Sequence, residues 1–273
     1  MLRNFGHAPL GVRWTIGDVS PQGFEALWLS IHAAVRLFGP DTAYAVCVNT
    51  ITPDEARRRT GAVSDLVTWC AASGEPPAVL APFLDGEMSE GTAWKLIPLT
   101  LFAGRFELAL DNDVILWQLP NAIKHWLLDA DPIGRVIAAD VVPAHGGFSA
   151  LCGPEPRNSG IRGIGPKFDF AGALGRVLAK RPAALRSELD EQGLQVAALS
   201  LDRSPLVVTT EEVSICSPFP PHNPELGSCG AHFVGLNVRN IPWRFYERNA
   251  LEVRLEHWAS RRSELRQRIG LCH

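Results

Sequence analysis

The sequence predicts a single α/β domain with a mostly parallel central sheet flanked by helices, and three observations carry that expectation. Strand-like apolar runs alternate with helical periodicity through the first half of the chain, an order that lays strands side by side with helices on both faces. The 273 residues are 46% hydrophobic, enough for one large core without disulfide or metal staples. Every long apolar run is broken by charge, as Arg105 breaks Leu96 to Leu110, so none suits a membrane span.

Val12 to Ile16 reads as the first strand and Gly17 to Gly23 as the loop after it. Phe24 to Leu37 is helical, with Leu27, Ile31, Ala34 and Val35 at helical spacing. Ala43 to Val48 is a second strand. Thr52-Pro53-Asp54-Glu55 is a helix start, with a hydroxyl N-cap, proline at the first position and early acids. Val63 to Ala72 fits a helix or a short strand. Gly74 to Gly91, rich in proline and glycine, is a connecting loop, and Thr92 to Phe102 is helical despite Pro98.

The apolar runs Phe106 to Leu110 and Val114 to Trp117 flank Asp111-Asn112-Asp113. Asn121 to Leu128 reads as a short helix and Arg135 to Val141 as a strand. Pro143 to Gly165, rich in Gly, Pro and Ser, is expected to line a cleft instead of a core. Phe170 to Ala179 and Ala183 to Leu199 are helical, and Leu206 to Thr210 extended. Phe245 to Ile269 is a long helix with Leu251, Leu255, Trp258 and Leu265 on one side. With no internal repeat or long linker, residues 1–243 are expected to form one domain, with 244–273 an amphipathic helix docked on it.

A formal net charge of −3 leaves no basic footprint for nucleic acid, which is excluded as a partner. Met1 to His7 lacks the apolar core of a signal peptide, so the expected location is cytoplasmic. The arginines of the last helix, Arg254, Arg261, Arg262, Arg266 and Arg268 among them, leave room for peripheral contact with the inner face of a membrane, although Trp258 favours docking on the domain. Six cysteines are scattered without a Cys-x-x-Cys pair. Cys216, His222, Cys229 and His232 match no zinc finger or ribbon spacing. His145-Gly146-Gly147 has no Gly-x-Ser-x-Gly elbow to serve, and neither a phosphate-binding P-loop nor a dinucleotide glycine motif is present, so hydrolase, kinase and dehydrogenase readings lack support.

The chemistry concentrates at Asp111-Asn112-Asp113. Extended side chains alternate faces, so acids at i and i+2 at a strand end point to one side, where a hard divalent cation binds a pair of carboxylates and completes its shell with phosphate oxygens and water. In open parallel sheets ligands gather at the carboxyl ends of strands, where Asp18 and the acid pair are expected. Four further pieces follow in order: Lys95 as a phosphate or sugar partner; Asn158-Ser159-Gly160, a small amide and close-approach backbone for sugar hydroxyls; the acids and amides of Asp190 to Gln195; and His232 with Gly235 in Ala231-His232-Phe233-Val234-Gly235.

On these motifs the chain resembles the GT-A-type glycosyltransferases, and within them the retaining enzymes related to glycogenin and bacterial galactosyl- and glucosyltransferases. The resemblance runs from about Val12 to Trp243 through ordered short motifs. It implies that Asp111, Asp113 and His232 hold Mn²⁺ or Mg²⁺ against a donor diphosphate, with Asn112 and Gly235 beside them. It implies that Thr15-Ile16-Gly17-Asp18 cradles the nucleotide, and that Asn158, Ser159, Gly160 and Lys95 contact the donor sugar. The family's Asp-Gln-x-x-x-Asn motif, near the reacting carbon, resembles Glu191-Gln192-Gly193-Leu194-Gln195. Glu191 replaces the usual aspartate, Gln195 the usual asparagine and Lys95 a frequent arginine. Leu236 to Ile241 are extra residues in the late motif, so the family's diphosphate-gripping lysine has no clean counterpart here, and Arg239, a basic residue in that stretch, favours a surface role.

The expected reaction is transfer of a hexose from a nucleotide sugar, most simply a UDP-sugar, to a saccharide or lipid-linked acceptor, with retention implied by resemblance. Glu191 as covalent nucleophile, or Gln192 or a backbone oxygen as a stabiliser of positive charge, are both open. A catalytically silent sugar-nucleotide or carbohydrate-binding protein is one alternative. A sugar-phosphate nucleotidyltransferase is another, though Gly17 to Pro21 lacks the basic residue that chemistry uses.

Overall fold

The computed structural model describes residues 9–72, 75–84 and 93–271. β1 (Leu10–Ile16), β2 (Ala43–Val48), β3 (Val67–Ala71) and β4 (Phe106–Asp111) run parallel, linked in part by α1 (Pro21–Phe38) and α2 (Pro53–Thr60). After β5 (Val114–Leu116) and α3 (Asn121–Asp129), β6 (Arg135–Ala139) and β7 (Arg157–Ile164) join the same sheet. Next come α4 (Phe170–Lys180), α5 (Glu188–Leu199) and β8 (Leu206–Val208). The seven-stranded order is β3-β2-β1-β4-β7-β6-β8, in which β7 alone opposes its neighbours. β9 (Val213–Ile215) and β10 (Gly230–His232) form a second sheet with β5, and the hairpin of β11 (Arg244–Phe245) and β12 (Arg248–Asn249) leads into α6 (Ala250–Arg268).

Local chemistry sets these elements. The Ser20 hydroxyl caps α1 by accepting from Gly23 N at 3.0 Å, Pro21 supplies a preset φ, and Gly39 ends the helix at φ +80°. Phe24, Leu27, Ile31 and Ala34 of α1 pack on Val12, Trp14 and Val46 of the sheet. Leu174 and Leu178 of α4 with Leu194 and Ala198 of α5 cover Ile137 and Ile164 on the opposite face. Each large side chain so buried contributes about 1.5–3 kcal/mol. α6 docks on α1 through Trp258 and Leu265, which meet Ala26, Leu29, Ala33 and Phe233. The Trp258 indole also donates to Glu25 at 2.9 Å.

Several expectations change. Pro143 to Gly165 was expected to line a cleft instead of a core, yet it contains β7, buried between β4 and β6. Its glycines admit large neighbours: a Cβ on Gly163 would lie 3.2 Å from the Trp126 ring. Of Val63 to Ala72, Val67–Ala71 forms strand β3 and the remainder is irregular. Ala93–Leu96 makes one 3₁₀ turn and no helix runs on to Phe102, consistent with Pro98, which has no N–H to donate. Thr92, Gly74 and 85–91 lie outside the described residues, as does Met1 to His7.

α5 begins only at Glu188, capped by Ser187, because Leu185 is bridged in extended form to Leu84. α6 likewise starts at Ala250, where Asn249 Oδ1 accepts from Leu251 N at 2.8 Å, and Phe245 belongs to the hairpin. Among the described residues no helix is long and apolar enough to cross a membrane.

Candidate metal and donor site

Sheet geometry assembles the site from distant segments. Thr15 of β1 stands beside Asp111 of β4 in register, at the carboxyl ends of both strands. The chain turns at Asn112 and Asp113 into β5, whose antiparallel partner β10 sets His232 opposite Val114. Phe233 N donates to Asp113 O at 2.9 Å, which fixes the late segment against the acid turn. As a result, His232 Nε2 lies 3.3 Å from Asp113 Oδ1 and 3.7 Å from Asp111 Oδ2. One ligand atom from each of the three residues falls within 4.8 Å of the others.

The antiparallel course of β7 brings its first residues, not its last, to this edge. Its pairing with β6 shifts by several residues between Ile137 and Ala138, so Ser159 and Gly160 bulge out of the ladder. Gly160 backs the imidazole so closely that a Cβ there would sit 2.5 Å from His232 Cε1 and 2.8 Å from Nδ1. Ser159 lines the cleft with Arg13, Thr15, Lys95, Asp111, Arg162 and Gln195. The Asn158 amide donates to Asp140 at 3.0 Å, and its oxygen accepts from Gly160 N at 2.6 Å; these bonds hold the bulge.

Charge is dense and balanced. The Lys95 ammonium donates to Asp111 Oδ2 at 2.7 Å. Burial alone would raise the Asp111 carboxyl, but Lys95 and His232 beside it outweigh that and hold it below its ordinary range. Burial likewise opposes the charged imidazole of His232, and Asp113 and Asp111 overcome it, so its pKa is raised. Asp113 Oδ1 is buried without a hydrogen-bond partner among the described residues. An orphaned carboxylate oxygen facing an imidazole and a second carboxylate fits a divalent cation: two hard oxygens and one borderline nitrogen converge.

Glu191, on α5, is fully buried, and burial pushes its carboxyl up to about 7 against the pull of Lys95 and Arg162. Gln195 Nε2 donates to Glu191 Oε1, and Gln195 Oε1 accepts from Arg162 at 2.5 Å. Glu191 Oε2 has no partner among the described residues. Gln192 accepts from Ser159 N at 3.2 Å and donates to Ala144 O at 2.8 Å, so its amide braces the bulged strand.

Other expected contacts have structural duties. The Asn112 amide donates to Gly23 O and forms a reciprocal pair with Asn237, with contacts of 2.7 and 2.9 Å. Asp18 pairs with Arg59 at 2.5 Å and with Arg239, whose guanidinium, helped by that of Arg59, lowers its pKa. Arg239 therefore ties the late loop to the first-strand loop. Gly17 packs against Asn49, and Gly235, at φ +80°, lies under Arg254, from which its carbonyl accepts at 3.0 Å.

Sequence reasoning passes over Arg13, Glu107 and Arg162. Glu107 Oε1 sits 3.5 Å from Arg13 and 4.0 Å from Arg162, all inside the sheet layer. Glu107 Oε2 accepts from Leu101 N and Phe102 N at 2.6 and 2.9 Å, while Arg13 donates to the carbonyls of Lys95 and Pro98. The triad thus anchors the segment that carries Lys95 and, through Gln195, the helix that carries Glu191. The available signal is a charge inside an apolar strand, as in Val12-Arg13-Trp14 and Phe106-Glu107-Leu108.

The chain shares this architecture with solved GT-A glycosyltransferases. The galactosyltransferase LgtC, solved with donor and acceptor sugar analogues, superposes with a TM-score of 0.51 at 14% identity over 92% of this chain and 95% of its own. An active-site mutant of LgtC gives 0.51 at 13% identity over the same shares. Mouse xyloside xylosyltransferase 1 in its apo form gives 0.48 at 13% identity, over 86% of this chain and 99% of its own. No family model and no curated protein matches the sequence. The fold is GT-A-like, an α/β domain with a mostly parallel central sheet between helical layers.

Proposed function

We propose that the protein is a metal-dependent hexosyltransferase that uses a nucleotide sugar, most simply a UDP-sugar, as donor and a saccharide or lipid-linked acceptor, with retention at the sugar carbon. The observation that carries this reading is the convergence of Asp111, Asp113 and His232 beside Lys95 and Glu191 at the carboxyl edge of a GT-A-like sheet. Asp111, Asp113 and His232 would hold Mn²⁺ or Mg²⁺, which when bound acts as a Lewis acid toward the donor diphosphate.

The protein groups account for the rest. Lys95 adds a fixed positive charge where the leaving diphosphate gathers negative charge, in a half-buried setting that strengthens the attraction. Thr15, Gly17 and Asp18 shape the nucleotide end of the cleft, and Asn158, Ser159 and Gly160 the sugar end. Glu191 Oε2, buried and without a partner among the described residues, is the carboxylate oxygen this reading assigns to the reacting sugar, either as nucleophile or as a countercharge to an oxocarbenium-like centre. Gln192 holds Ser159 in place for that step.

A thermal-shift screen of UDP, GDP, CDP and ADP with and without Mn²⁺ tests the reading, since a ligand at a hundred times its Kd stabilises the folded state by about 2.7 kcal/mol. UDP should raise Tm only with metal, and Asp113→Ala should abolish that increment. Metal-dependent UDP binding without hydrolysis or transfer from any UDP-sugar would instead establish a silent sugar-nucleotide-binding protein. No shift with any nucleotide refutes the donor site.

A further inference from the structure

The thiols of Cys47 and Cys70 lie 3.7 Å apart, Sγ to Sγ. Cys47 of β2 and Cys70 of β3 are direct partners in the parallel ladder, so both side chains leave the same face of the sheet at the same level. The row continues: Cys47 is beside Thr15, and Thr15 beside Asp111. At a spacing of about 4.8 Å per strand, Cys47 is roughly 10 Å and Cys70 roughly 14 Å from Asp111, along the ladder toward the sheet edge.

The two thiols differ in access. Cys47 is fully buried, whereas Cys70 is half-buried on the edge strand β3, which has no neighbour on its outer side among the described residues. Cys70 donates weakly to Val46 O, and the adjacent Cys47 thiol lowers its pKa to about 7, while the same contact and burial raise that of Cys47. The other described cysteines have no thiol partner: Cys152 donates to Phe148 O and Gly193 O, and Cys216 to Pro224 O.

We propose that Cys47 and Cys70 form a thiol-modification site, in which a low-molecular-weight disulfide such as glutathione disulfide converts the dithiol to an intramolecular Cys47–Cys70 bond. The accessible Cys70 sulfur, as thiolate, attacks one sulfur of the disulfide; that S–S bond breaks, and the leaving thiolate takes up a proton to give the first free thiol. The Cys47 sulfur, losing its proton, then attacks Cys70 in the mixed disulfide and expels the second free thiol. Two protein thiols are oxidised and one small disulfide is reduced to two thiols. In-register neighbours stand within the Cα range that a disulfide spans, so the sheet need not open. The bond ties the edge strand to β2 at the level of Thr15.

Reduced full-length protein treated with glutathione disulfide, alkylated at acid pH and mapped without reduction tests this. Before alkylation, wild type should lose about 2 Da in intact mass, and after it should yield a peptide linking Cys47 to Cys70; dithiothreitol added ahead of alkylation reverses both. Cys47→Ser should stop at a glutathione adduct on Cys70. Cys70→Ser should show neither adduct nor crosslink at Cys47, with circular dichroism verifying that each variant is folded. The idea is overturned if wild type stops at the mixed adduct on Cys70, if both thiols stay free for alkylation, or if crosslinks join other cysteines instead. None of these readouts depends on nucleotide binding, so the result stands apart from the proposed glycosyl transfer.

Discussion

Gly160→Ala is the sharpest test of how the site is built. The new methyl would stand 2.5 Å from His232 Cε1, 2.8 Å from Nδ1 and 2.7 Å from Asn158 Oδ1. Carbon atoms pack at about 3.5–4.0 Å, so the imidazole must retreat by roughly 1 Å or more. The ring cannot do so and keep its nitrogen 3.3 Å from Asp113 Oδ1, because Phe233 next to it is locked under Trp258. Metal ligands tolerate displacements of only about 0.2 Å, and changes beside a ligand lower metal affinity by roughly 10–100-fold.

That loss removes about 1.4–2.7 kcal/mol of ligand stabilisation at fixed concentration, which is roughly 3–10 °C of Tm for a domain of this size. Overpacking by one methyl costs a further 1–3 kcal/mol or so in the ligand-free protein. The assay is a melt of wild type and variant with and without Mn²⁺ and UDP, together with a Mn²⁺ titration by calorimetry. A variant that binds Mn²⁺ as tightly as wild type would show that Gly160 does not seat the imidazole, and the coordination argument built on β7 fails.

Asp113→Asn should lower the metal-free Tm, since it removes the carboxylate that faces the buried His232 imidazole at 3.3 Å, and the increment from Mn²⁺ and UDP should vanish; an intact increment removes Asp113 from the ligand set. Burial raises the folded pKa of Glu191 to about 7 from the ordinary 4.5 of a glutamate, so the folded state holds the proton more tightly and stability falls as pH climbs from near 4.5 through 7. Glu191→Gln should therefore gain up to about 3 kcal/mol over wild type at pH 8 and nothing at pH 4, read from denaturant melts across that range; a pH-independent difference contradicts the buried-carboxyl assignment. Trp258→Ala empties the contact between α6, α1 and Phe233 and should cost about 3–5 kcal/mol in urea unfolding; a cost below about 1 kcal/mol means α6 is not part of the core.

The first βαβ unit is legible because Thr52, Pro53 and the helical spacing of Leu27, Ile31 and Ala34 act locally, where sequence and structure share one period. The acid pair is legible as the end of an apolar strand, which fixes where Asp111 faces, whereas Asp113 reaches the same side through the turn into β5 and not by alternation. β7 is not legible. Arg157-Asn158-Ser159-Gly160-Ile161-Arg162-Gly163-Ile164 has the composition of a loop, and it lies in the sheet because Trp126 and His232 need the space its glycines leave and Gln195 and Glu107 answer Arg162. Such reasons are distant in sequence. The roles of Asn112 and Asp18 are hidden likewise: their partners, Asn237 and Arg239, lie more than two hundred residues from Asp18 and 125 from Asn112.

The reciprocal amide pair between Asn112 and Asn237 gives the middle residue of the acid tripeptide a mechanical office. Because that same amide reaches Gly23 O, the acid turn, the start of α1 and the loop after His232 are riveted into one jaw. Lys95, bonded to Asp111 by its ammonium and to Arg13 by its carbonyl, is fastened to that jaw and to the sheet alike.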